Sequence, residues 1–158
     1  MSATLRVLED GLVCKMADGG DNKTCLTSPK IEIGTVAEFK VLIEKCEDSA
    51  FLIGVGNKDL DPDYYIGQGS TGISFYFKSD TKVIFGNTSS GYGKVGLQGD
   101  IITCILDTIA GTIAYKINWG AEEFNLGIMH TSDWLKSASE EWVFGVTMHD
   151  SNDLIRIL

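Results

Sequence analysis

The sequence predicts an all-β sandwich of short antiparallel strands in a single domain, and three observations carry that prediction. Apolar residues recur at every second position: Ile73, Phe75 and Phe77 alternate with Ser74, Tyr76 and Lys78, and Ile113, Tyr115 and Ile117 with Thr112, Ala114 and Lys116. This is the period of a strand with one buried face. Glycine reaches 18 residues while proline stays at 2; at about 11% against a usual ~7%, glycine supplies the tight turns that many short strands need. The 158 residues suit one domain, able to bury about 70% of its extended-chain surface.

In chain order the strand candidates are 5–7, 12–16, 31–33, 38–44, 51–55, 73–77, 82–85, 101–106, 113–117, 125–127, 142–148 and 154–157. In the eleventh, Trp142, Phe144, Val146 and Met148 alternate with Val143, Gly145, Thr147 and His149. Turn signals separate the candidates, among them Asp18-Gly19-Gly20-Asp21, Asp61-Pro62-Asp63 and Ser90-Gly91-Tyr92-Gly93. One stretch reads as a short helix: Ser132 caps 133–141, with Trp134 and Ala138 four apart on one face. Trp134, Trp142, Phe75, Phe85 and Phe144 are expected to fill the space between the sheets. Tyr64, Tyr65, Tyr92 and Trp119 fall in turn-rich segments, where loop aromatics can anchor a ligand.

Charge excludes several function classes. Thirteen Lys and Arg against 22 Asp and Glu leave a formal charge of −9, and the basic residues are scattered without a run. Nucleic acid and anionic membrane are therefore excluded as partners, since both need clustered Lys and Arg. No apolar stretch approaches the ~20 residues of a membrane span. Charges within Met1 to Asp10 occupy the place of a signal peptide's apolar core. The expected location is inside the cell, in the cytoplasm, with the nucleus also open. Cys14, Cys25, Cys46 and Cys104 form no CxxC pair and only His130 and His149 accompany them. Free thiols follow, with no zinc site and no cofactor; the sequons at Asn22 and Asn87 then carry no meaning.

The motifs that invite chemistry dissolve on inspection. Gly67–Gly72 and Gly91–Gly96 both fit G-x-G-x-x-G, but each runs on into a strand and lacks the helix end that holds a pyrophosphate. Asp59, Asp61 and Asp63 open like a calcium loop, yet Tyr64 and Ser70 stand where that loop needs glycine and glutamate. His149 precedes Asp150 and Ser151, but neighbours on a strand point apart rather than forming a relay. No catalytic residue is nominated, and the chain is expected not to be an enzyme.

Ordered motifs carry a resemblance. Gly99-Asp100-Ile101-Ile102-Thr103-Cys104-Ile105-Leu106-Asp107 resembles a Gly-Asp-x-Ile-Gly-Cys-x-Leu-Asp strand, and Gly111-Thr112-Ile113-Ala114-Tyr115-Lys116 a Gly-Thr-Ile-x-Phe-x segment leading to Asn118 and Gly120. Leu126-Gly127-Ile128, Trp142 to Val146, Glu38-Phe39-Lys40-Val41 after Gly34, Phe51-Leu52-Ile53-Gly54-Val55-Gly56 and Tyr92-Gly93 complete the set. Together they resemble the SPRY domain family from about residue 29 to 158, without a PRY half. Thr103 replaces a usual glycine and Phe39 a frequent tryptophan, and Trp119 inserted between Asn118 and Gly120 is expected to lengthen that hairpin.

The resemblance implies a bent sandwich of two antiparallel sheets, about a dozen strands in a concanavalin-like or lectin-like jelly roll. One domain spans 1–158, with N-terminal strands and loops in 1–30 and the core of the likeness in 31–158. It implies a monomeric, non-enzymatic adaptor that binds a protein or peptide through edge loops and recruits substrate within a larger complex such as a ubiquitin ligase. Asp100 and Asp107 are expected to hold turns. Family ligands often meet the loops that correspond here to 57–65 and 148–152. The binding residues nominated are Tyr64, Tyr65 and Met148 as anchors, with Asp59, Asp61, His149 and Asp150 as polar contacts. That acidic rim favours a basic partner. The alternative is a carbohydrate-binding sandwich assisted by calcium at Asp59, Asp61 and Asp63.

Overall fold

The computed structural model describes residues 5–8, 13–16, 23–27, 30–46, 51–149 and 153–158. The strands are β1 (Leu5–Leu8), β2 (Val13–Met16), β3 (Lys23–Leu26), β4 (Val36–Lys45), β5 (Phe51–Gly56), β6 (Gly72–Tyr76), β7 (Thr81–Ile84), β8 (Asn87–Ser89), β9 (Ile101–Asp107), β10 (Thr112–Trp119), β11 (Glu122–Thr131), β12 (Val143–Met148) and β13 (Leu154–Ile157). They form two antiparallel sheets, ordered β1-β2-β13-β4-β9-β10-β11 and β3-β12-β5-β6-β7-β8.

Alternation decides which side chains meet. Val41 and Ile43 of β4, Ile102, Cys104 and Leu106 of β9, and Ile113, Tyr115 and Ile117 of β10 point inward from the first sheet. Phe51, Ile53 and Val55, then Ile73, Phe75 and Phe77, then Phe144, Val146 and Met148 answer from the second. Phe39 stacks on Phe144 at 5.3 Å, and Phe75 meets Tyr115 edge-on at 5.6 Å. Aromatic pairs at such distances add to the area they bury. The Tyr115 hydroxyl, taken into this core, donates to the Ile53 carbonyl at 2.6 Å, which removes the cost of an unpaired buried donor.

Both expected turn aspartates do that work. Asp107 Oδ1 accepts from the Ile109 and Ala110 amides at 2.9 and 2.8 Å, and Asp100 Oδ2 from the Leu97 amide at 2.7 Å.

Several elements differ from the sequence reading. β3 and β8 arise from Lys-Thr-Cys-Leu and Asn-Thr-Ser, which have no apolar alternation; ladder pairing to β12 and β7 makes them strands. Residues 31–33 are not a strand, although Ile31 and Ile33 pack on the core. The β10–β11 hairpin is short despite Trp119, because Trp119 pairs with Glu122 around Gly120 at φ 59°. Ser132 caps as expected, but the helix is two 3₁₀ turns, Asp133–Lys136 and Ala138–Glu140, separated at Ser137. Trp134 is consequently 51% exposed and not part of the core.

Candidate functional site

The outer face of β12, β5 and β6 carries a patch without side chains, beside Leu52, Thr147 and Ser74. Gly145, Gly54, Gly56 and Gly72 lie on it, and the long β5–β6 connection folds back across this smooth ground. A Cβ on Gly145 would come within 2.9 Å of Ile66 Cδ1, and one on Gly72 within 3.0 Å of Ile66 Cγ2. On Gly56 it would collide with Leu60. Ile66 is fully buried and Leu60 nearly so, although neither belongs to a strand.

Hydroxyls projecting from the sheet then tie down the loop backbone. The Ile66 amide donates to Thr147 Oγ1 at 2.9 Å, and Ser74 Oγ donates to the Ile66 carbonyl at 2.6 Å. Thr24 Oγ1 donates to the Tyr64 carbonyl and lies 2.7 Å from Thr147 Oγ1. Each hydroxyl has one proton, so Thr147 must donate to Thr24. The chain runs one way, from the Ile66 amide through Thr147 and Thr24 to the Tyr64 carbonyl. At the loop's base, Asn57 Nδ2 donates to Glu140 Oε2 at 2.8 Å and the Lys58 amide to the Glu140 carbonyl at 2.9 Å. A connection fixed at base, middle and crest is a rigid platform.

At the crest, Tyr64 is 50% exposed and Tyr65 half-buried, with Asp59, Asp61 and Asp63 exposed beside them. Asp61 Oδ1 accepts from the Asp63 amide at 2.9 Å, an Asx turn, while Asp63 takes an ion pair from Lys23 at 2.8 Å. Lys23 faces Met148 across the β3–β12 ladder, which places the crest at the end of β12 that leads to His149. His149 is exposed. Asp150 lies outside the described residues. Met148 does not fit its assignment as an anchor: it is fully buried, in phase with Phe144 and Val146, and its side chain belongs to the core. The three aspartates do not converge. Among the described residues no group of three His, Cys, Asp or Glu is placed to hold a metal ion.

Sequence reasoning missed Lys23, Thr24, Ile66 and Thr147. The signal was partly present in the paired glycines Gly54 and Gly56, whose missing side chains imply something lying close above them.

Titratable groups in the core are held neutral. Burial pushes the Cys104 thiol up to about 12, against a smaller opposite pull from the Tyr115 hydroxyl. Burial likewise raises Tyr92 and Tyr115 well above their ordinary range. Tyr92 donates to the Gly127 carbonyl at 2.6 Å, fastening the 90–99 loop to β11. These are structural bonds inside a packed core. Among the described residues no helix is long and apolar enough to cross a membrane.

Comparison with known proteins agrees with this architecture. The SPRY domain family model matches residues 37–133. The SPRY domain of human HERC1 superimposes with a TM-score of 0.75 at 20% identity, over 99% of this chain and 93% of that one. The TRIM65 PSpry domain gives 0.73 at 12% identity, over 98% and 85%, and a human SPRY domain 0.68 at 15%, over 98% and 96%. The search of curated protein sequences found no match.

Proposed function

The chain belongs to the SPRY domain family, a family of protein-interaction modules, and from that premise we propose that its ligand face is the crest of the β5–β6 loop. The carrying observation is the anchored loop itself. Its backbone is immobilised by Ile66, Thr147, Thr24 and Ser74, so Tyr64 is presented with little backbone-ordering cost on binding. Tyr64 is the apolar anchor, and Tyr65 supports it. Asp59, Asp61, His149 and Asp150 supply polar contacts around it. Lys23 neutralises Asp63, whereas among the described residues Asp59 and Asp61 have no ion pair, which favours a protein segment carrying Lys or Arg. The domain acts as a monomeric, non-catalytic adaptor inside the cell, in the cytoplasm, recruiting substrate to a larger assembly such as a ubiquitin ligase.

The test is capture from cell lysate on immobilised domain, comparing wild type with Tyr64→Ala and with Asp59→Asn/Asp61→Asn after matching their melting curves. A protein retained by wild type and lost by both variants supports the assignment. Equal retention by all three refutes this face.

A further inference from the structure

β8 and β11 are the edge strands on one side of the sandwich, since Phe75 of β6 meets Tyr115 of β10 and Phe85 reaches His130 of β11. The corner between them breaks a local rule. Phe85 and Gly86 form the β7–β8 turn between paired Ile84 and Asn87, with φ of 47° and 85°. Two-residue hairpin turns with positive φ at both positions take Asn, Asp or Gly first. A phenylalanine there is held against steric strain, and such strain concentrates at functional positions. It sets the Phe85 ring edge-on to Trp134 at 4.8 Å and 6.3 Å from the His130 ring. Trp134 stands 51% exposed on its far side.

Register adds two nitrogen donors to these rings. Lys82 pairs with Phe75 and His130 with Ile113, both fully buried, and directly paired residues share a face. Lys82 and His130 therefore line the inner mouth of this edge. Burial holds the His130 imidazole below its ordinary value, and the nearby Lys82 charge adds to it. Lys82 makes no ion pair among the described residues. The charges on the Trp134 turn cancel, because Asp133 pairs with Lys136 at 2.9 Å. On a chain of net charge −9, this mouth joins uncompensated positive charge to an exposed aromatic wall.

We infer that the Phe85–His130–Trp134 corner is a second docking site, for a partner's peptide segment carrying Asp or Glu beside an apolar side chain. The carboxylate meets Lys82 and an imidazole N–H, the apolar side chain lies on Trp134 and Phe85, and the exposed β8 edge offers backbone pairing. The site lies at the β8–β11 edge, whereas Tyr64 stands over β3 and β12, and it has the opposite charge preference, so the two assignments are tested separately.

An arrayed hexapeptide library tests it, each member holding one central Glu flanked by varied apolar residues and matched by a twin with Gln. Wild-type domain is expected to retain a subset of Glu peptides at least about tenfold better than their twins. Lys82→Gln should abolish that preference, Trp134→Ala should weaken retention about thirtyfold, and Tyr64→Ala should change neither. Phe85→Asn, which suits the turn backbone, should also lose retention while keeping a cooperative melt. No retained peptide, equal retention of the Gln twins, or a preference that survives both Lys82→Gln and Trp134→Ala overturns the inference. Loss in Tyr64→Ala alone overturns it too, and moves acidic binding to the loop crest.

Discussion

Replacing Ile66 with Ala measures how firmly the β5–β6 loop is built into the domain. A residue in a surface connection ordinarily tolerates truncation within about 0.5 kcal/mol. Ile66 is fully buried against the positions of Gly145 and Gly72, so it should behave as a core residue. Truncation removes roughly three carbons, worth about 0.8 kcal/mol each. The glycine backbone beneath cannot move in and Leu26 borders it on one side only at Gly145, so a cavity adds to the loss and brings the expected cost to about 3 kcal/mol. For a domain of this size that lowers the melting temperature by about 6–12 °C. Thermal and urea unfolding of the purified domain would read it, and limited proteolysis would show cleavage moving to 57–71. A loss below about 1 kcal/mol with unchanged proteolysis would refute the claim that Ile66 pins the loop.

Other changes report on other parts of the same construction. Thr147→Val keeps the shape but strands the Ile66 amide and interrupts the bond to Thr24, so unfolding in urea should show a loss of about 1–3 kcal/mol. Cys104 should resist alkylation at pH 8 in native buffer and react on unfolding, as followed by mass spectrometry; rapid native labelling would contradict its burial. Because the folded thiol ionises near 12 and the ordinary value is 9.0, the native state holds this proton longer than the unfolded chain does. Its share of stability is complete below pH 9 and fades between 9 and 12, by up to about 4 kcal/mol. Cys104→Ser should flatten the alkaline limb of a stability–pH profile, and an unchanged limb would assign that loss to other groups.

The strands that set the architecture were legible because a period of two forces one face inward, as at Ile73–Phe75–Phe77 and Ile113–Tyr115–Ile117. β3 and β8 were not, because nothing in Lys-Thr-Cys-Leu or Asn-Thr-Ser records the ladder that will accept them. Trp134 was misplaced since a serine cap and one apolar face look alike in an α-helix and in a 3₁₀ turn, while the exposed side differs. Met148 was readable: its parity with Phe144 and Val146 already pointed it inward, and only its place at a strand end made it look like a loop residue. Tyr64 was found from its turn-rich setting. Its platform was not, because Ile66 and Thr147 are distant in sequence and meet only through the fold.

The position of β13 has a kinetic consequence. It lies between β2 and β4, with Ile155 opposite both Cys14 and Ile43, so among the described residues the ladder joins the β1–β2 hairpin to the first sheet only through this strand. During synthesis the hairpin emerges ahead of β13 and must wait for every strand between them before its neighbour exists, a high-contact-order closure that is slow. In the finished protein the dependence runs in reverse: whenever β13 peels away, the hairpin loses its ladder with it. Amide hydrogens of β2 that point toward β13 should then exchange with solvent at least as fast as those of β13 itself.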